Sequence, residues 1–286
     1  MGILFALLAL ISWGLGDFLI QRSTRKFGDW QTLFFITISG AIFTFPIIAG
    51  DLLALSFFQI MLLLFSSVVI LIAALLDFEA LKVGKISVVE PIYAFEVLIT
   101  TVVAAIFIHE LLNFWQLALL VLLMVGIFLV AAKNFSKFKK ISLEKGVWLA
   151  IAATINMGLV NFLFGFSGRQ TSPVMINWFI SAVIAVACII YLSYKKNWTE
   201  VGKNLRRQYP LILAVSFFDN LAWIAFAYSA LFLPLAIATG ISESYIALAA
   251  LLGIIFNHEK LKRHQWIGFV IVVCTAIILA AITEMK

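Results

Sequence analysis

The stretch that decides the fold is VVEPIYAFEVLITTVVAAIF, residues 88–107. It is long enough and apolar enough to cross a bilayer, which takes a helix of about 20 apolar residues. Yet it carries two acids, Glu90 and Glu96, and Pro91 stands beside the first. A charged side chain at the bilayer centre costs about 3 kcal/mol even on insertion scales, so such acids are rare and usually functional. The segment therefore indicates a membrane protein that uses carboxyl groups.

Composition extends this interpretation to the whole chain. Of the 286 residues, 64% are hydrophobic and 12% are charged, and the mean hydropathy is +1.13. A soluble domain is about half apolar and about a quarter charged. The net charge of +6 is assigned to loops beside anionic lipid and not to a nucleic-acid surface. Charged residues are absent from eight long stretches, 1–16, 30–50, 52–76, 111–132, 146–168, 170–194, 220–242 and 264–283.

These stretches predict an all-α, multi-pass membrane protein with short links between its helices. The two longer links are 133–145 and 195–208. Ten transmembrane helices are predicted, near 2–20, 31–50, 58–81, 85–108, 113–132, 145–165, 173–194, 209–231, 235–256 and 264–282.

An internal repeat divides the chain into halves. Shifted by 144 positions, GILFALLALISWGLGDFLIQRSTR (2–25) lies over GVWLAIAATINMGLVNFLFGFSGR with ten of 24 positions identical. The later junctions IFIHELLNFWQ and IIFNHEKLKRHQ match at a shift of about 149. We therefore predict two five-helix repeats, residues 1–132 and 145–286, joined by a basic linker, residues 133–144.

Five helices per repeat is an odd number, so the second repeat enters the membrane from the opposite side and the repeats are inverted. The loops after helices 1, 3, 5, 7 and 9 hold 18 of the 20 Lys and Arg residues. The expected location is the inner, or cytoplasmic, membrane. By the positive-inside rule the basic side faces the cytoplasm, which places both termini on the opposite side.

Three acids lie near the middle of predicted helices: Glu96 in helix 4, Asp219 in helix 8 and Glu243 in helix 9. Transporters with inverted repeats bind their substrates near the midplane, where the repeats meet, so these acids are candidate site residues. Polar and aromatic neighbours on the same three segments extend the candidate site, namely Tyr93, Asn220, Trp223 and Tyr245.

Aromatic rings beside buried carboxylates suit a ligand with a cationic or amine end and an apolar body. Burial in an apolar environment raises the pKa of a carboxyl group, which then loads and releases protons near neutral pH. The alternative is that each acid only ties helices together by pairing with a neighbour. No Lys or Arg lies in the middle of a predicted helix, so the functional interpretation is favoured.

Other acids are less clearly assigned. Glu90 either belongs to the site or accepts backbone amides freed at the proline kink. Asp17 lies near the end of helix 1, and its repeat counterpart is Asn161, so polarity and not charge is kept, as a lining position requires. Asp77 lies close to Lys82 and is expected to pair with basic residues at the membrane boundary.

Enzyme signatures are incomplete. GLGD (14–17) matches the GxGD pattern of intramembrane aspartyl proteases, but its repeat copy, GLVN, lacks the acid. Neither His-Glu pair has the second His of HExxH, and the GxSxG and P-loop motifs are absent. We predict a protein that is not an enzyme and that holds no cofactor or metal.

The repeats, SWGLGDF (12–18) and the paired junctions resemble EamA-type members of the drug/metabolite transporter superfamily. In that family the junction typically reads Gly-Glu-x-Leu and continues with Gln and an aromatic residue. Here Glu110 and Glu259 stand at the Glu position, and His replaces Gly in both copies. Trp13, inside the first motif, joins the candidate site residues.

The resemblance implies a ten-helix basket around a central cavity, lined mainly by helices 1 to 4 and 6 to 9, that works by alternating access. It also implies termini in the cytoplasm, opposite to the charge count, so orientation stays open. Members of the family carry amino acids, other metabolites or drugs, and many are exporters.

We therefore expect a secondary transporter of a small organic metabolite, amine-bearing or aromatic, with protons as the candidate coupling ion. The expected partners are this substrate and the lipid bilayer, without nucleic acid. An uncoupled facilitator or channel is the alternative within transport. A membrane assembly subunit that transports nothing is the alternative from another class. The oligomeric state stays open, and a monomer is compatible with the predicted fold.

Overall fold

The computed structural model describes residues 1–83, 92–132, 145–248 and 262–284. Within these ranges lie ten α-helices and one 3₁₀ turn, Leu52–Ala54. The helices are α1 (Gly2–Phe27), α2 (Asp29–Ile48), α3 (Phe57–Val83), α4 (Glu96–Phe107), α5 (Phe114–Ala131), α6 (Lys145–Gln170), α7 (Pro173–Tyr194), α8 (Trp198–Phe232), α9 (Leu235–Glu243) and α10 (Arg263–Glu284).

Eight of these helices are long and apolar enough to cross a membrane, and α4 and α9 are shorter apolar helices. The predicted fold class, an all-α membrane protein with ten helices in two repeats, is confirmed. The predicted linker (133–144), Glu90 and Glu259 lie outside the described residues.

The predicted loop at 195–208 is wrong, because most of it belongs to α8. The helix begins at Trp198 and bends at Gln208, whose φ and ψ of −125° and 21° are not helical. Pro210 follows within one turn, and a proline inside a helix removes one backbone hydrogen bond and bends the chain. The first segment, Trp198–Arg207, carries exposed Lys and Arg on one side and buried Val201 on the other. Hydropathy alone misses such a short polar helix.

The duplicated glutamine of the two junctions is a helix-start residue. The side-chain oxygen of Gln116 accepts a hydrogen bond from the backbone N–H of Asn113 at 3.2 Å. In return, the side-chain oxygen of Asn113 accepts one from the backbone N–H of Gln116. Gln265 accepts one from the Lys262 amide at 3.1 Å in the same way. These side chains satisfy backbone N–H groups that a helix start leaves without partners.

Helix packing follows a pseudo-twofold arrangement of the two halves. α1 packs along α8, and the equivalent pair, α6 and α3, packs in the same way. The pairs α2 with α7, α5 with α10 and α4 with α9 each join a helix to its own repeat counterpart. The short helices α4 and α9 also contact α6 and α1 respectively. The middle of the bundle is therefore built where α4 and α9 meet α1, α6 and α8.

Candidate functional site

The first candidate acid, Glu96, begins α4 and is buried, with 6% of its surface exposed. α4 can approach α6 closely because Gly158 has no side chain: a Cβ there would lie 2.9 Å from the Glu96 carbonyl oxygen. One turn further along α4, Thr100 donates a hydrogen bond to the Gly158 carbonyl at 2.9 Å. The sequence predicts Glu96 near the middle of a helix over 85–108, whereas in the structure α4 begins at Glu96; the side chain is nevertheless buried in the bundle.

Glu243 at the end of α9 and Asn161 on α6 meet in the interior. Nδ2 of Asn161 donates a hydrogen bond to Oε1 of Glu243 at 3.3 Å, and the two residues are 2% and 7% exposed. The sequence proposes both as site residues on separate arguments, and the structure brings them together. Since an amide has a second N–H and a carboxylate several acceptor positions, the pair keeps hydrogen-bonding capacity for a ligand.

A cluster of five aromatic rings lies one helical turn from this pair. Trp13 on α1 contacts Trp223 edge-on at 5.0 Å between centroids, and Phe164, one turn after Asn161, lies 4.7 Å from Trp223. The full cluster, called the aromatic cluster below, comprises Trp13, Phe164, Trp223, Phe226 and Tyr245. The structure thus places Trp13, Trp223 and Tyr245, three sequence candidates, together, and adds Phe164 and Phe226.

Asp219 and Asn220 are neighbours on α8 with different surroundings. Asp219 is half-buried and lies one turn before Trp223, on the approach to the aromatic cluster. Asn220 instead joins three helices: its Nδ2 donates to the Ile36 carbonyl at 3.1 Å, and its Oδ1 accepts from Asn177 at 2.9 Å. Within the hydrocarbon region such bonds satisfy polar groups that lipid cannot. We assign Asn220 to helix packing.

From the sequence, Asp77 is expected at the membrane boundary, whereas the structure places it beside Tyr93, one of the candidate site residues. The phenol of Tyr93 lies beside the Asp77 carboxyl. Tyr93 itself is buried against Ala150 and Ala153 of α6. The distance of Asp77 from the end of α3 could have indicated this, because more than one helical turn separates Asp77 from Val83, the last residue of the helix. Glu90 and the side chain of Asp17, two further candidates, lie outside the described residues.

The glycines of the GLGD motif have a packing role. A Cβ at Gly16 would lie 3.7 Å from Phe218 of α8, and one at Gly14 would lie 3.0 Å from Leu248, beyond the end of α9. Gly14 therefore lets α1 approach the segment after α9 closely, whereas a Cβ at Gly16 would make an ordinary van der Waals contact with α8.

Comparison with known proteins agrees with this architecture. The model of the EamA-like transporter family matches residues 1–132 and 144–281, which confirms the resemblance seen in the sequence. A solved crystal structure, described only as that of a protein, superposes with a TM-score of 0.76 at 12% identity. That match covers 99% of this chain and 98% of the other, and it shows the fold alone. No curated protein matches the sequence.

Proposed function

Because the chain belongs to the EamA-like transporter family, a family of multi-pass membrane proteins, we propose that it is a secondary-active transporter of a small organic molecule with a cationic or amine end and an apolar or aromatic body. The proposal includes alternating access, in which the two repeats expose one central site to either side of the membrane in turn. Protons are the proposed coupling ion.

The observation that carries the proposal is the closeness of the Asn161–Glu243 pair to the aromatic cluster: Phe164 follows Asn161 by one turn of α6, and Tyr245 follows Glu243 by two residues. A carboxylate fixes an ammonium group by charge and hydrogen bonding, and the faces of Trp and Tyr rings attract cations. Phe164 and Phe226 offer apolar surface to the remainder of the molecule. Few other combinations of side chains select a cation that has an apolar body.

Proton coupling is supported by the number of acids in the interior. Glu243, Glu96 and Asp77 lie on α9, α4 and α3, three helices that all pack against α6. Acids on facing helices inside a membrane are typical of proton relays in transporters.

The proposed location is the cytoplasmic, or inner, membrane with the odd-numbered loops in the cytoplasm. The helical segment Trp198–Arg207 supports this orientation, since its exposed Lys203, Arg206 and Arg207 lie on the same side as the basic end of α1. Anionic lipid of the cytoplasmic leaflet attracts such a surface.

The test is a current measurement on a solid-supported membrane. Proteoliposomes with wild-type protein are exposed to pools of amino acids, polyamines and aromatic cations, with and without a pH step. We expect one pool to evoke a current in wild-type vesicles, and Glu243→Gln to reduce it about a hundredfold, since the variant lacks the charge that binds the cation. Glu96→Gln, measured in parallel, tests the second interior acid.

Glu200→Gln is the matched control, because it makes the same change at a glutamate whose side chain is 57% exposed. Its current should equal that of the wild type. A current that survives in both interior variants would contradict the roles of Glu96 and Glu243. If wild-type vesicles stay silent in every pool, radiotracer counterflow is the deciding measurement: exchange there supports electroneutral transport, and its absence favours an assembly subunit. Substrate flux that ignores the pH step would favour the uncoupled facilitator.

A further inference from the structure

An ion pair ties together three helices at one end of the bundle. Nη2 of Arg169, at the end of α6, lies 3.1 Å from Oε1 of Glu110, in the junction between α4 and α5. The same guanidinium donates hydrogen bonds to the carbonyls of Ala230 at 2.6 Å and Leu233 at 2.7 Å. The other oxygen of Glu110, Oε2, accepts from the Leu235 amide at 2.6 Å.

These partners are the facing ends of two helices. α8 ends at Phe232, and Arg169 places its positive charge on the carbonyls that the helix end leaves without partners. α9 begins at Leu235, and Glu110 places its negative charge on the first free amide. The pair therefore complements both helix dipoles and closes the short link between α8 and α9, around Leu233 and Pro234.

The position of Arg169 is unusual for a basic residue in this chain. Apart from Lys286 it is the one Lys or Arg outside the loops after helices 1, 3, 5, 7 and 9. Its side chain is 24% exposed and that of Glu110 is 20% exposed, so both are partly withdrawn from solvent. A basic residue on the less basic side that is partly buried and bonded to Glu110, Ala230 and Leu233 has a specific local role.

The three helices that meet here also carry the site. α6 holds Asn161 and Phe164, α8 holds Trp223 and Phe226, and α9 leads to Glu243. The ion pair lies at the ends of α6 and α8 and at the start of α9, so it closes the bundle on this side of the site. Any opening of the site toward this side has to separate α9 from the ends of α6 and α8.

We propose that the Glu110–Arg169 pair is the closing contact on this side of the site, formed in the present conformation and broken when the site opens to that side. The inference rests on the proposed function, because only a transporter that alternates between two openings needs to break the contact. The pair is a positioning device and touches no substrate. It also explains why the sequence keeps a Glu in the IHELL junction.

The test is thiol labelling, which needs no substrate. Ser229 of α8 is fully buried next to Ala230, so its replacement by Cys reports access at the closed end. In a background with Cys188→Ala and Cys274→Ala, the protein carries no other thiol. We expect a charged, membrane-impermeant methanethiosulfonate to label Ser229→Cys about tenfold faster after Arg169→Gln or Glu110→Gln. With Arg169→Lys, the labelling rate should lie between the rate with native Arg169 and the rate with Arg169→Gln, because Lys keeps the charge but loses the forked geometry.

Two controls separate opening from damage. Thr154→Cys is buried on α6 at the opposite end from Arg169, so its labelling should stay slow in every variant. Lys203→Gln removes a different, exposed cation and should change nothing. Unchanged labelling of Ser229→Cys in both Gln variants overturns the proposal, and so does an equal rise at Thr154→Cys. Silent substrate pools in the current assay would count against the proposed function alone.

Discussion

Two helix crossings in the middle of the bundle are copies of one another. In the first, Gly14 of α1 faces Leu248 after α9; in the second, Gly158 of α6 faces Ile99 of α4. Gly158 lies 144 positions after Gly14, and Leu248 lies 149 positions after Ile99, which are the shifts that relate the two repeats. The duplication has therefore preserved the contact as well as the residues.

The polar residues around the two crossings are not copied. At the same shifts, Asn161 corresponds to Asp17, Glu243 to Ala94 and Glu96 to Tyr245. The hydrogen bond between Asn161 and Glu243 therefore has no equivalent in the first repeat, because the side chain of Ala94 cannot form one. Packing at these two crossings is therefore symmetrical, whereas the polar chemistry around them is not. The proposed site lies where the two copies diverged.

The largest effect should come from making the second crossing resemble the first. Asn161→Asp replaces the amide that donates to Glu243 with a second carboxyl group, so a donor is lost and like charges meet. We expect transport to fall about a hundredfold, equal to about 2.7 kcal/mol. The measurement is the substrate-evoked current at pH 7 with the melting temperature as a check on folding.

The reciprocal variant, Asp17→Asn, is the matched control. We expect a smaller loss, because the position equivalent to Glu243 is the apolar Ala94, which forms no pair with an acid. Equal losses in the two variants would show that the repeats contribute equivalent chemistry, contrary to the comparison.

The second effect tests the copied contact itself. A Cβ at Gly158 would lie 2.5 Å from Cβ of Ile99 and 2.9 Å from the Glu96 carbonyl, whereas one at Gly14 would meet only the flexible end of Leu248, at 3.0 Å. We expect Gly158→Ala to lower the free energy of unfolding by about 2 kcal/mol, because overpacking a core costs about 1–3 kcal/mol. Gly14→Ala should cost less than about 1 kcal/mol. Tryptophan fluorescence during thermal unfolding in detergent measures both, and a larger loss at Gly14 would contradict the asymmetry.

Much of the scaffold can be predicted from the sequence, because lipid restricts spanning segments to apolar helices and duplication leaves shared residues. The helix count, the two repeats and the interior placement of Glu96 and Glu243 all follow from those two constraints. The sequence predicts that Asn161 and Glu243 belong to the same site but not that they are hydrogen-bonded, since the two residues are 82 positions apart.

What the sequence conceals is which polar group meets which. Arg169 falls after the predicted helix 145–165, and Glu110 falls between the predicted helices 85–108 and 113–132. No sequence pattern therefore indicates that the Arg169 guanidinium joins Glu110 and the end of α8. Because Asp77 lies close to Lys82 in the sequence, it is expected at the membrane boundary, although in the structure it lies beside Tyr93. The polar start of α8 escapes a hydropathy profile, because the amphipathic segment before Pro210 is too short and too charged.

The third effect concerns polar packing, which also differs between the halves. Asn220 bonds α8 to α2 and α7, whereas the equivalent stretch of α3, residues 69–71, has only apolar side chains and can make no such bond. We expect Asn220→Ala to cost about 1 kcal/mol, since hydrogen bonds between membrane helices average about 0.6 kcal/mol and this residue makes several. Ser216→Ala, which loses one bond to the Phe35 carbonyl, should cost about half as much in the same unfolding assay. A larger loss at Ser216 would count against the bridging role of Asn220.

The smallest effect distinguishes two ion pairs with similar distances, Glu200–Lys203 and Glu110–Arg169. Lys203 and Glu200 approach to 2.7 Å, closer than the 3.1 Å between Arg169 and Glu110, yet their side chains are 55% and 57% exposed. Water screens an exposed pair, so we expect Lys203→Gln to change the free energy of unfolding by less than about 0.5 kcal/mol, and less still in high salt. Arg169→Gln should cost more than this, because it also leaves the carbonyls of Ala230 and Leu233 without their donor. Thermal unfolding of the two variants at low and high salt measures the difference. Equal costs would mean that distance and not burial decides the strength of an ion pair here, and the assignment of Arg169 to helix-end closure would lose its energetic basis.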